Sequence, residues 1–224
     1  MPTDTQASPS DRGGYLPALR FRMLTPLFDS VVRTTVREST FKRALIEQAG
    51  LRAYQRVLDL GSGTGTLAVM AKRREPRCEV TGLDADREIL ELARRKAARA
   101  QLDVRFDQGL ADELPYDAES FDRVLSTLFF HHLTGDEKRG TLAEVARVLR
   151  PGAELHLADW TAPADPLQAL LSWQVRLFDG LDRTRENLAG KLPELLADAG
   201  FSAVREHQRL RTAFGTLGLL SGRR

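Results

Sequence analysis

The 224-residue chain has one cysteine, Cys78, so it can form no internal disulfide and no cluster of thiolate metal ligands. That isolation points to a reducing compartment and a cytoplasmic protein. No stretch approaches the roughly 18 uninterrupted apolar residues of a membrane span, and the polar residues 2–14 lack the apolar run of a signal peptide. An excess of charge of one sign is missing too: 33 Lys+Arg against 31 Asp+Glu leave a net charge of +2. A field able to grip nucleic acid across a whole face is thereby excluded. Aromatic residues are few, at 7%, with two Trp. What is present is 42% hydrophobic and 29% charged residues, the balance of an ordinary globular chain of one domain.

Residues 1–14 carry Pro, Ser, Thr, Asp and Gly without apolar periodicity and read as a disordered tail. From 15 to 50 the pattern turns helical. Leu19, Met23, Leu27 and Val31, then Phe41, Leu45, Ile46 and Ala49, recur at spacings near four, with Ser39-Thr40 able to start the second helix and Gly50 to stop it. Thereafter short apolar runs alternate with helical segments. Strands are expected at 56–60, 78–83, 104–106, 121–127 and 153–158, the last after a turn at Pro151-Gly152, with helices at 66–74, 86–100 and 134–149. Strict alternation implies right-handed crossovers and a mostly parallel sheet. In the helix at 86–100, Ile89, Leu92, Ala93 and Ala97 form the expected inward stripe, and Arg94, Arg95, Lys96 and Arg99 read as a solvated face. Further on, 166–179 and 185–199 read as helices and Gly200 as a stop. Residues 202–208 and 210–220 read as strands with so short a link that they must pair antiparallel.

The chemistry is concentrated in VLDLGSGTGTLA, residues 57–68. A buried strand runs into a turn of Gly, Ser and Thr and then a helix, which puts the turn at the carboxyl end of the sheet, where open α/β folds bind ligands. A phosphate-gripping loop would end Gly-Lys-Ser/Thr, and Gly65-Thr66-Leu67 supplies no lysine. A dinucleotide fingerprint would need glycine at 66, which is Thr66. The remaining reading is a G-x-G-x-G turn preceded by an acid, Asp59.

That turn, with EVTGLDAD at 79–86, ADELPY at 111–116, SFD at 120–122 and LRPG at 149–152, resembles the successive motifs of class I S-adenosylmethionine-dependent methyltransferases. Within that family the resemblance is to the ubiquinone and menaquinone biosynthesis branch, and it spans roughly 50–160 in order. It implies an α/β, Rossmann-like, doubly wound sheet of seven strands, mostly parallel with an antiparallel last strand, plus an N-terminal helical lid over 15–50. The methyltransferase domain would then be 51–224, with an acceptor-side helical insertion at 160–200. S-adenosylmethionine is the implied cofactor and S-adenosylhomocysteine its product. The resemblance assigns the ribose hydroxyls to Asp84, the glycine turn and methionine end to Asp59, and close backbone approach to Gly61, Ser62, Gly63 and Gly65. Ser126 joins this cofactor set. Where the family often has Gly-Asp-Ala, this chain has Gly109-Leu110-Ala111, so adenine recognition passes to the Ala111 backbone and to apolar packing by Leu110 and Ala85, or to Asp112.

Displacement at a sulfonium methyl needs an aligned nucleophile, and a general base only where the acceptor must lose a proton. His131 and His132, after the fourth strand, are the candidate bases, with His131 slightly favoured; one imidazole capping the next helix is the plainer alternative. Tyr15, Phe21, Phe28 and Trp160, with Trp173 and Phe178, are candidate pocket residues. The expected partner is a small-molecule acceptor, with no metal, no nucleic acid, and a monomer or homodimer. Two other readings stand beside this one. One is a membrane-associated quinol or phospholipid methyltransferase using 15–38 as an amphipathic lid; the other is a cofactor-binding module without catalysis.

Overall fold

The computed structural model describes residues 38–224. The tail at 1–14, and Tyr15, Phe21 and Phe28, lie outside the described residues. In chain order the elements are α1 (Glu38–Ala49), β1 (Arg56–Leu60), α2 (Thr66–Arg74), β2 (Glu79–Asp84), α3 (Arg87–Arg99), β3 (Arg105–Gln108), β4 (Phe121–Thr127), a 3-10 turn (Phe130–His132) and α4 (Gly135–Val148). There follow β5 (Leu149–Trp160), α5 (Pro166–Leu171), α6 (Trp173–Asp179), α7 (Leu181–Leu188), α8 (Leu192–Asp198), β6 (Ser202–Thr212) and β7 (Gly215–Arg223).

The seven strands form one sheet in the order β3-β2-β1-β4-β5-β7-β6. Strands β1 to β5 pair parallel, and β7 runs antiparallel to both β5 and β6. The order reverses between β1 and β4, which opens the crevice at their carboxyl ends. Alternation along the strands feeds two core layers: Val57, Val80, Leu125 and Leu219 face one, while Leu58, Leu60, Val124 and Leu220 face the other. Phe41, Leu45, Ile46 and Ala49 of α1 belong to the first layer, so this helix is packed on the sheet as core. Caps follow local chemistry. Asp86 accepts from the Glu88 and Ile89 amides to start α3, and Thr134 with Glu137 forms a reciprocal capping box on α4.

Five sequence expectations need correction. The inward stripe of α3 is Leu90, Ala93 and Ala97, and Leu92 is 49% exposed. Helix 166–179 is interrupted at Ser172, whose hydroxyl turns back to the Ala169 carbonyl. Helix 185–199 is two helices, because Gly190 takes a left-handed conformation (φ 72°) and Pro193 suits only the first turn of α8. Strand β5 continues from Leu149 through Gly152 (φ 77°), with a register irregularity against β4, so no turn separates strand from helix there. The link between the last two strands is Ala213-Phe214, tightened by Thr212, whose hydroxyl accepts from the Phe214 amide and donates to the Gly215 carbonyl. It falls four residues beyond the place periodicity suggested. Strand β6 is largely exposed and polar, so its apolar alternation gives no boundary.

Candidate active site

The glycine turn joins β1 to α2 at the reversal point of the sheet. Gly61, Gly63 and Gly65 have φ of 66°, 51° and 72°. A Cβ on Gly61 would stand 2.4 Å from Phe129 Cδ2, and one on Gly65 2.7 Å from Phe106 Cζ, whereas Gly63 has nothing within 4 Å. Two of the glycines are therefore required by packing as well as conformation, and the middle one faces open space. Gly65 has no side chain to cap α2. Asp59, buried in the strand beneath, does so from below, its Oδ2 accepting from the Ala68 amide at 2.9 Å. Burial raises its pKa to about 7, against the opposing pull of Lys42 and the Ala68 amide.

Asp84 closes β2 opposite the turn. Its Oδ2 accepts from the Gly63 amide at 2.9 Å and its Oδ1 from the Asp86 amide at 3.0 Å, and burial raises its pKa. Each oxygen keeps a second lone pair, so the carboxylate is rigidly aimed and still able to accept from a diol. Beside it, the Ser62 hydroxyl is buried with no protein partner. An orphaned hydroxyl, an open face at Gly63 and a fixed acceptor at Asp84 together fit a nucleoside cofactor lying across the turn. The Ala85 carbonyl accepts from the Gln108 side chain at 3.0 Å, which ties the ends of β2 and β3 together. Leu110 and Ala111 are half-buried, Leu110 bridging to Glu113, and Asp112 is exposed. The Ser126 hydroxyl is committed to the Leu60 carbonyl at 3.0 Å, a tie between β4 and β1 at the crevice.

On the other side of the crevice the hub is Asp159, which sequence reading passed over. Fully buried at the end of β5, it accepts from the Phe129, Phe130 and Trp160 amides at 3.1, 2.8 and 2.7 Å, and its Oδ1 lies 2.7 Å from His131 Nδ1. Burial opposes its charge, but His131 and the Trp160 amide hold its pKa below the usual range. His131 is buried. Desolvation works against its protonation, yet Asp159 and Asp179 outweigh this and raise its pKa. His132 is half-exposed, its pKa lowered by burial of the ring and by neighbouring His131. Neither imidazole caps α4, a task Thr134 performs. Asp179, at the end of α6, faces both histidines, at 3.7 Å from His131 Nε2 and 3.3 Å from His132 Nδ1. Trp160 is buried edge-on to His131, with ring centroids 6.1 Å apart, while Trp173 and Phe178 are exposed.

The fully buried Lys138 of α4 also escaped the sequence. Its ammonium donates to the Arg183 carbonyl at 2.6 Å and lies 3.5 Å from Glu186, while Arg183 donates to the His132 carbonyl. These contacts pin α7 against α4 and the 3-10 turn. A buried lysine inside an apolar helical stripe was the only signal available for it.

A methyltransferase-domain family model matches residues 57–152. The chain is 38% identical over 149 residues to the demethylmenaquinone methyltransferase of Deinococcus radiodurans, 66% of this chain and 61% of that protein. It is 31% identical over 174 residues to a methyltransferase of Synechocystis sp., covering 76% of this chain and 77% of that one. Among solved structures, the S-adenosylmethionine-dependent methyltransferase SibL superposes with a TM-score of 0.66 at 25% identity, over 82% of this chain and 54% of that chain. The chain spans about half to three-fifths of the length of several curated relatives that it matches. The Synechocystis match covers most of both chains, and with it the chain belongs to the class I S-adenosylmethionine-dependent methyltransferase family.

Proposed function

We propose that this protein moves the methyl group of S-adenosylmethionine to a small apolar or aromatic acceptor, releasing S-adenosylhomocysteine. The observation that carries the reading is the Asp84 carboxylate fastened to the Gly63 amide across the mouth of the turn. Asp84 would receive the ribose hydroxyls, and Ser62 and the Gly61–Gly65 backbone would line the amino-acid end. Asp59 holds the start of α2 in register beneath them. Ala85, Leu110 and the Ala111 backbone would border the adenine. Bound there, the cofactor supplies a methyl group already activated by its sulfonium, so the protein has mainly to align and desolvate the acceptor.

The acceptor would stand between the turn and the group formed by His131, His132, Asp159 and Trp160. In this reading residues 51–224 are the catalytic domain and 160–200 its acceptor-side insertion, while of the 15–50 cover the part at 38–49, α1, is packed on the sheet as core. Support for an apolar acceptor comes from the insertion, where Leu167, Leu170, Trp173, Leu177, Phe178 and Leu181 are each more than half exposed. The Deinococcus relative's name, a demethylmenaquinone methyltransferase, favours a quinol-like ring. The test is calorimetric titration with S-adenosylhomocysteine: wild-type protein binds and Asp84→Ala binds at least about tenfold more weakly, the loss of one charge-assisted pair. Equal affinities would remove the ribose assignment. Incubation with methyl-labelled cofactor and a panel of phenols and quinols then reads transfer directly.

The same exposed apolar surface supports a second reading, in which the acceptor is a lipid taken at a membrane surface. Sedimentation with anionic vesicles decides it: a Leu170→Ser, Leu177→Ser variant that sediments as well as wild type would end that reading.

A further inference from the structure

Three side chains at the acceptor end converge in a way that methyl transfer alone does not require. One ligand atom from each of His131, His132 and Asp179 lies within 4.8 Å of the others, with His131 Nε2 3.7 Å from Asp179 Oδ2 and His132 Nδ1 3.3 Å from Asp179 Oδ1. His131 is oriented from behind: Asp159 takes its Nδ1 at 2.7 Å and is itself fixed by three backbone amides. With Nδ1 committed there, Nε2 is the ring atom that faces the Asp179 carboxylate.

The separations are informative. Where an imidazole and a carboxylate share a proton in this site, the contact closes to 2.7 Å, as between His131 and Asp159. The contacts to Asp179 stay open at 3.3 Å and 3.7 Å. Ligand atoms at about 2.0–2.1 Å from a tetrahedral zinc ion stand about 3.3–3.4 Å apart, the length of the contact from His132 Nδ1 to Asp179 Oδ1, while Oδ2 of the same carboxylate is turned to His131 Nε2. A carboxylate behind a ligating imidazole is also the usual device for fixing its tautomer and orientation.

We propose that His131 Nε2, His132 Nδ1 and Asp179 bind a divalent cation of the zinc class, with Asp159 as the positioning residue for His131 and a fourth coordination position left open. Two imidazoles and a carboxylate suit Zn²⁺, Co²⁺ or Ni²⁺ and suit Mg²⁺ poorly. The site joins two separate elements, the 3-10 turn after β4 and the end of α6, so the ion would pin the insertion to the sheet. Its role toward the acceptor rests on the function proposed above. An acceptor hydroxyl in the open position would give up its proton to solvent, and its oxygen electron pair would form the new bond to the methyl carbon as the sulfur–methyl bond breaks, that bond's electron pair leaving on S-adenosylhomocysteine.

Full-length protein freed of metal by chelation and dialysis is titrated calorimetrically with Zn²⁺, and with Co²⁺ followed by visible absorption. One ion per chain and an intense tetrahedral Co²⁺ spectrum are expected. His132→Ala and Asp179→Asn, both at partly exposed positions, should each lower Zn²⁺ affinity at least tenfold while retaining wild-type circular dichroism and affinity for S-adenosylhomocysteine. Binding of less than one ion by wild-type protein, or unchanged affinity in either variant, would overturn the site. Should Zn²⁺ bind as expected while S-adenosylhomocysteine does not, the methyltransferase reading falls and the metal site stands.

Discussion

Asp59 shows how a single buried carboxyl can serve the site at the expense of the fold. It caps α2 where Gly65 cannot, yet its ionisation in the core is costly enough to raise its pKa to about 7. Asp59→Asn keeps an oxygen for the Ala68 amide and removes the charge, so at pH 8 the variant should melt higher than wild type. Thermal denaturation followed by circular dichroism measures this; a lower melting temperature would contradict the account. Gly61 permits the opposite prediction. Its positive φ and the Phe129 ring, 2.4 Å from where a Cβ would stand, make Gly61→Ala costly by about 2–4 kcal/mol, readable as a shifted urea midpoint. At this scale the glycine turn and the acids beside it were legible as neighbours, because they lie within 26 residues of one another. Asp159 was not, because its partners Phe129, Phe130 and His131 come from a different strand end about 30 positions away.

Among elements, the least legible region was the insertion. Its four helices span six to eight residues each, too short for a 3.6-residue period to declare itself, and Ser172 and Gly190 divide what composition alone joins. Strands β1 and β4 were legible to the residue because both are buried on both faces and bounded by abrupt changes of composition. The insertion's attachment depends on Lys138, whose ammonium holds the Arg183 carbonyl beside Glu186. Lys138→Met preserves bulk, leaves that carbonyl without its donor and leaves Glu186 paired with Arg139 alone. We expect faster amide hydrogen exchange across α7 with little change in β1 or β4. Uniform exchange in the two regions would show that α7 is held by other contacts.

For the whole molecule, two buried groups set opposing responses to pH. Asp59 has a folded pKa of about 7 against an ordinary 3.8, so the folded state binds its proton more tightly, and this contribution to stability is lost as pH rises from about 4 through 7. His156, buried in β5 with its Nδ1 3.1 Å from Gln48, has its pKa lowered by burial from 6.5 to about 4. Its folded state resists protonation, so stability is lost as pH falls from 6.5 through 4. Each contribution is on the order of 3–4 kcal/mol, of opposite sign over nearly the same window. Urea denaturation at a series of pH values reads each contribution as a difference from wild type. Asp59→Asn should steepen the loss toward acid relative to wild type, and His156→Leu should lessen it. Parallel profiles for all three proteins would refute the pairing.

The chain leaves the sheet after Trp160 and re-enters it at Ser202, and these two strand ends flank the buried β7 in one half of the sheet. The glycine turn, Asp59 and Asp84 lie across the reversal point in the other half. A segment spliced in between those exits can differ in length and composition without moving the turn. Exchange of residues 161–201 as a cassette is thus expected to leave the glycine turn, Asp59 and Asp84 in place, and under the function proposed above such a chimaera would keep its cofactor and change its acceptor.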